Sequence, residues 1–264
     1  MTQITFEHDG LAFAGYDIGQ GSSVVFQHGL GGDIGQINEA LPVANFRRIT
    51  LECRGHGQTP FGIASHISIP KFANDVLAFA DSQGVDKFVV GGISMGAAIA
   101  LRIAVIAPER VTALILARPA WSWNSSPENM YIFRMIDEFV QTQDKAGFEA
   151  TEIAKDFKIN APDNYTSLLK LFEKPYPAMV AELHSRIAAD GSEVTEKQVK
   201  AIQVPTLVLA NAIDLIHPIS LAQELAATIA GSRFFEIAPK AIDKTKYFAE
   251  FHAAVKDFLN QLET

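Results

Sequence analysis

A serine with glycines two positions away on either side, Gly92-Ile93-Ser94-Met95-Gly96, stands in the run GGISMGAA. The spacing fits G-x-S-x-G, in which a serine occupies a tight strand-to-helix turn and presents its hydroxyl for attack on a carbonyl. A chain of this length shows such a pattern by chance roughly one time in ten, so the flanks must carry the reading. KFVVGG reads as a buried strand leading in, and AAIALRIAV as a helix leading out. Glycines at the outer positions let neighbouring backbones pass close to the turn. The alternative is a serine that caps an ordinary helix.

Attack by a serine builds negative charge on the carbonyl oxygen, and two backbone N–H groups aimed at that oxygen stabilise the transition state. Upstream, VVFQHGLGGD carries a strand into a glycine-rich turn. That turn can offer the Leu30 N–H, while Met95, next to the serine, offers the second.

In their order along the chain these motifs resemble the α/β-hydrolase superfamily. The matching residues are a His-Gly turn at His28-Gly29, an R-G-x-G loop at Arg54-Gly55-His56-Gly57, and the turn at Ser94. The resemblance spans nearly the whole chain. It implies a mostly parallel α/β sheet flanked by helices, an inserted helical cap, and serine-dependent hydrolysis of a small ester, thioester or lactone. Carbon–carbon bond hydrolysis fits the same parts. It also implies an acid after the strand that follows the cap. In PTLVLANAIDLIHP that acid is Asp214, where a carboxylate orients and stabilises an imidazolium, unless it only caps the next helix.

The resemblance further implies a histidine between the last strand and the C-terminal helix, yet none occurs from Phe234 to Phe251. His217, three residues after Asp214, is the first substitute: its ring bridges the carboxylate and Ser94 if the loop turns it that way. A loop histidine with a structural contact is the equal alternative. Lys240 occupies the vacated loop and serves as a base only if burial lowers its pKa substantially. His252 sits within the last amphipathic helix at the boundary of its buried stripe, His28 holds the glycine turn, His56 belongs to the R-G-x-G loop, and His66 lies near the pocket. His8 and His184 read as surface positions. A general base contributes a factor on the order of a hundred to ten thousand. The opposing class is therefore a ligand-binding protein that keeps the pocket and has lost turnover.

RPAWSWN begins at the end of the strand before the cap and so faces the same end of the sheet. Trp121 and Trp123 form an aromatic wall for a modest substrate and Arg118 binds its carboxylate or lactone oxygen; alternatively the tryptophans anchor the cap and Arg118 pairs with an acid.

The elements that must position these residues are legible in the hydrophobic pattern. ITFEHDG and LAFAGYDIG form a hairpin about Asp9-Gly10. SSVVFQH, RRITLEC, KFVVGGI, TALILA, PTLVLA and RFFEIA follow as short apolar strands. Helical patterns at Asn74 to Ala80, Ala97 to Ala107, Leu221 to Ile229 and Phe248 to Leu262 alternate with them, which argues for a parallel sheet. From Arg118 to Val204 no strand interrupts the helical stretches MYIFRMIDEFV, FEATEIAKDF, YTSLLKLFE and AMVAELHSRIA. The expected division is a core of residues 1–118 and 204–264 with a helical cap over 119–203.

Composition bounds the partners. With 30 acidic against 22 basic residues and a net charge of −8, the chain lacks the basic surplus that neutralises phosphates, so no nucleic acid is expected. The run Phe88 to Leu101 is shorter than the roughly 20 residues a membrane span needs, and no signal segment opens the chain; a cytoplasmic protein acting on a small soluble molecule is expected. A single cysteine, Cys53, excludes a disulfide framework, and no H-E-x-x-H occurs, so neither metal nor cofactor is expected. The run from His28 to Gly35 also approaches the glycine fingerprint of a dinucleotide-binding oxidoreductase, with Glu52 as ribose-binding acid. That reading is the most distant, because Ile34 stands at the third glycine position and the turn at Ser94 goes unexplained.

Overall fold

The computed structural model describes residues 2–42 and 45–262. Its strands are β1 (Thr2–His8), β2 (Leu11–Ile18), β3 (Ser22–Gln27), β4 (Phe46–Leu51), β5 (Phe88–Ile93), β6 (Val111–Ala117), β7 (Thr206–Ala210) and β8 (Arg233–Glu236). The helices of the sheet layers are α1 (Ile34–Ala40), α2 (Ile69–Ser82), α3 (Met95–Ile106), α10 (Ile219–Thr228) and α11 (Lys244–Leu262). Between β6 and β7 lie α4 (Tyr131–Thr142), α5 (Lys145–Ala150), α6 (Glu152–Asn160), α7 (Pro162–Leu169), α8 (Pro177–Ala189) and α9 (Glu196–Lys200).

The strands form one sheet in the order β1-β2-β4-β3-β5-β6-β7-β8, in which β2 alone runs against the rest. Asp9 and Gly10, at φ 54° and 72°, make the tight turn of the β1–β2 hairpin. In the central strands the pleat sends alternate side chains to opposite faces. Val25, Val90, Leu114 and Val208 pack with α2, α3 and α10. Val24, Val89, Ile115 and Leu209 pack with α1 and α11. Coverage on both faces explains why these strands are continuously apolar. β8 departs from that pattern: three of its four residues are exposed, as befits an edge.

Two helices escape the periodic reading. α1 is short and is announced only by the Asp33 side chain, which accepts from the Gly35 N–H at its start. α9 has five residues and is held by a capping box between Thr195 and Gln198. The stretch FEATEIAKDF divides into α5 and α6 because Thr151 is extended and caps the second helix.

The helices between β6 and β7 return to the C-terminal ends of the strands. Asn164 of α7 accepts from the Leu215 and Ile216 N–H groups at 2.8 and 3.3 Å. Asp190, just past α8, accepts from the Ile69 N–H through its carboxylate (2.6 Å) and from the Trp121 indole through its carbonyl (3.1 Å). His184, expected at the surface, is 3% exposed. The correction has a simple cause: its Nδ1–H donates to Val180 O one turn back, so that nitrogen is satisfied within α8, and the ring packs at a tilt against Phe133. His8 is partly exposed against the Phe6 ring, near Asp75. Among the described residues no helix is long and apolar enough to cross a membrane.

Candidate active site

Ser94 sits between β5 and α3 with φ 57° and ψ −112°, a conformation that costs an L-residue about 1–3 kcal/mol. Its backbone N–H donates to Ala117 O at 2.9 Å, tying the turn to the end of β6. The flanking glycines are required by contact. A Cβ on Gly92 would lie 2.4 Å from the Gly96 carbonyl carbon, and one on Gly96 would lie 2.2 Å from Gln27 O. The Ser94 side chain makes no capping bond to α3, which removes the helix-cap alternative.

Its hydroxyl is engaged elsewhere, 2.8 Å from His217 Nε2. The loop from β7 into α10 brings that ring round. Asp214 Oδ1 accepts both the His217 backbone N–H at 3.0 Å and its Nδ1–H at 2.8 Å, closing a small ring that fixes the imidazole. A carboxylate only accepts, so Nδ1 carries the proton and Nε2 is left as an acceptor for the serine O–H.

Arg118, at the end of β6, donates from Nε and Nη2 to Asp214 Oδ2 at 2.7 and 2.6 Å. Burial alone would raise the Asp214 pKa, but Arg118 and His217 outweigh it and hold the carboxyl well below its usual range. The same burial lowers the His217 pKa; Asp214 opposes that shift and Arg118 adds to it. The imidazole is therefore neutral at neutral pH, the state in which it accepts a proton.

The glycine turn after β3 abuts this pair: a Cβ on Gly29 would be 3.3 Å from Ser94 Cβ. His28 braces the turn from below, its Nε2 accepting from the Cys53 N–H at 3.0 Å and its Nδ1–H donating to Gly29 O at 2.8 Å. Burial pushes the His28 pKa down to about 4, so it remains neutral. Gln36 of α1 accepts from the Gly29 N–H at 2.7 Å. The Leu30 and Met95 N–H groups donate to no other described residue. His184 overlies the turn, with Nε2 3.1 Å from where a Gly31 Cβ would stand.

Sequence reasoning did not single out Gln36 or assign Glu52 its place. The Glu52 carboxylate accepts from the Ile34 N–H at 3.1 Å and the Gln58 N–H at 2.7 Å, linking the glycine turn to the R-G-x-G loop. This double duty leaves it no role at a ribose. A lone glutamate at a strand end gives no local sign of such a bridge; the would-be Cβ of Gly57, 2.1 Å from its carboxyl carbon, is the signal that structure adds.

Other predicted residues are placed apart from the serine. Arg118 is bound to Asp214 rather than presented to a ligand. Trp121 is 1% exposed with its N–H on Asp190, so it anchors the helical insertion instead of forming a wall. Trp123 packs half-buried on the same core. Lys240 pairs with Asp163 at 3.2 Å. His252 donates to Glu39 O, His66 lies beside Asp9, and the buried His56 donates from Nδ1 to Arg54 O.

The alpha/beta hydrolase fold family model matches residues 22–241. The AB hydrolase superfamily protein YisY of Bacillus subtilis (strain 168) is 30% identical over 236 residues, 84% of this chain and 85% of its own length. "Putative carbamate hydrolase RutD" of Klebsiella pneumoniae (strain 342) is 25% identical over 223 residues, 81% of this chain and 82% of its own. Among solved structures, a thermophilic esterase from Thermogutta terrifontis (malate bound) superposes with a TM-score of 0.74 at 24% identity, covering 100% of both chains.

Proposed function

The chain belongs to the alpha/beta hydrolase fold family, and on that premise we propose that it is a serine hydrolase acting on a small ester, thioester or lactone. The observation that carries this reading is the unbroken chain from Ser94 Oγ through both nitrogens of His217 to Asp214, each link 2.8 Å. It supplies the general base that the stretch before α11 lacks.

In this mechanism Ser94 Oγ attacks the carbonyl carbon while His217 Nε2 takes the hydroxyl proton. Asp214 stabilises the imidazolium that forms. The Leu30 and Met95 N–H groups receive the oxyanion, with Met95 at the N-terminal, positive end of α3. Collapse expels the alcohol or thiol, which takes the proton from His217; in a lactone the leaving oxygen stays tethered to the acyl group. Water, deprotonated by His217, then releases the acid and restores Ser94.

The helices between β6 and β7 act as the cap over this site, with His184 of α8 as a neutral acceptor above the oxyanion turn. Its Nδ1–H is committed to Val180, and burial pushes its pKa down to about 4, so Nε2 favours a substrate carrying an N–H or O–H beside the carbonyl. A carbamate, the substrate class in the name of the Klebsiella relative, has such a group and enters the list on that ground. Carbon–carbon bond hydrolysis uses the same serine and oxyanion donors.

The test is labelling with a fluorophosphonate across pH, read by intact mass and peptide mapping. Modification of Ser94 that is lost in His217→Ala supports the proposal. Absence of labelling above the Ser94→Ala background sinks it and leaves a ligand-binding protein.

A further inference from the structure

The two oxygens of Asp214 do different work. Among the described residues Oδ1 serves His217 alone, and Oδ2 takes two N–H donors from Arg118. The pair is buried: the side chains are 1% exposed for Asp214 and 11% for Arg118. Arg118 is itself held from behind. Its Nη2 lies 3.7 Å from Asp163 of α7, Asp163 lies 3.2 Å from Lys240, and the guanidinium carbon stands 6.0 Å from the Tyr247 ring centre on α11. Its backbone N–H donates to Leu209 O at 2.7 Å, with φ at 46°.

This arrangement answers a problem of the short loop. With acid and base only three residues apart, a carboxylate free to rotate would offer either oxygen and let the ring swing. The rigid guanidinium brings Nε and Nη2 together onto Oδ2 and holds that oxygen with two donors in a fixed relation, as a single-point ammonium would not. It also changes the charge count. Beside a lone carboxylate a protonated histidine forms a neutral pair; beside Asp214 and Arg118 together it leaves a net positive charge. The charged or titratable groups facing the site are Asp214 on the ring's own loop, Arg118 from β6, Asp163 from α7, and Tyr247 and Lys240 from α11 and the loop before it.

We propose that Arg118 is a positioning residue for the Ser94 reaction: it locks Asp214 so that Oδ1 alone serves His217, and it makes the base work beside a charge-neutral acid. The inference rests on the serine hydrolase reading and extends it to a residue that touches no substrate. Its consequence is an enzyme whose base stays unprotonated, and thus competent, further into the acid range than a plain carboxylate–histidine pair allows.

The experiment uses the full chain with ¹³C-labelled histidine. The His217 ring resonance, assigned by its loss in His217→Ala, is titrated by NMR, and the rate of fluorophosphonate labelling is followed over the same pH range. Arg118→Met is expected to raise the His217 midpoint by about one pH unit or more and to lower the plateau labelling rate by about tenfold or more. Arg118→Lys restores the charge without the fork, so the midpoint returns to the parent value while the plateau stays low. An unmoved midpoint in Arg118→Met, with the parent labelling normally, overturns the Arg118 inference and leaves the hydrolase reading intact. A parent that never labels defeats the hydrolase reading instead. If Arg118→Met does not fold, Arg118→Lys decides: a low plateau at the parent midpoint supports the proposal, and a parent-like plateau overturns it.

Discussion

His217 follows Asp214 by three residues, yet its two ring nitrogens join that carboxylate to Ser94, 123 positions away, at 2.8 Å on each side. The carboxylate and the imidazole thus come from one loop after β7, and in the loop after β8, where the family resemblance implied a histidine, Lys240 makes an ion pair with Asp163.

Removal of the base should cost most of the rate. His217→Ala is expected to lower turnover of a small aryl ester by a factor on the order of a hundred to ten thousand, and Ser94→Ala to remove fluorophosphonate labelling. The double variant should be no slower than the worse single one, because the two groups act as a unit. Fully additive losses would speak against a shared step.

The pH profile follows from the direction of the His217 shift. Burial moves this pKa below the ordinary histidine value of about 6.5. The competent form is the neutral ring, so kcat/KM should rise with pH, pass its half-maximum below about 6.5, and stay level through neutrality. A half-maximum well above that value would mean that another group controls the rate.

Three other buried histidines, His28, His56 and His184, are held neutral by burial and make stability depend on pH. Burial pushes His28 and His184 down to about 4 in the folded state, while each titrates near 6.5 unfolded. The unfolded chain then binds more protons between those values, so stability falls as pH drops from about 6.5 towards about 4, by up to about 3 kcal/mol for each ring. Denaturant unfolding of His184→Phe, which keeps the packing on Phe133, should show a shallower pH slope than the parent. An unchanged slope would remove His184 from this account.

The turn at Ser94 admits no side chain at Gly92 or Gly96, two positions away on either side. Gly92→Ala would place a methyl 2.4 Å from backbone of Gly96, where no flexible group can yield. A loss of about 3 kcal/mol or more is expected, measured as a lowered midpoint of denaturation together with lost labelling.

Glu52 tests whether the glycine turn at Leu30 is held from outside. Both its oxygens accept backbone N–H groups, so Glu52→Gln turns one acceptor into a donor facing another donor. The expected result is a destabilisation of about 1–3 kcal/mol and a fall in kcat larger than any change in KM. A fall in KM alone would place Glu52 outside this role.

Much of the fold was legible in the sequence because its signals are local. Among the described residues six strands coincide with the short apolar runs and β1 and β2 with the hairpin, and the Asp9-Gly10 turn, the Ser94 turn and the glycine turn at Leu30 carry their conformations in their own residues. Asp214 lies where an apolar strand ends. α1 and α9 were not legible, since each is too short to show a period and depends on a capping side chain.

What only the tertiary structure decided is where polar side chains spend their hydrogen bonds. Arg118 reads equally as a ligand-binding cation or an ion-pair partner until β6 and β7 are set side by side and Asp214, 96 positions on, meets its guanidinium. Trp121 and His184 read as wall and surface residues until the helices between β6 and β7 fold over the strand ends and bury both. The direction of the His217 ring belongs to the same class. Spacing puts it near the carboxylate, but its reach to Ser94 depends on the angle of a loop set by Asn164 of α7 and by Asn129, which donates to Ile216 O at 2.6 Å. Local sequence fixes backbone conformation over a few residues, whereas the partner of a buried polar group is chosen by chain segments that meet only when the protein has folded.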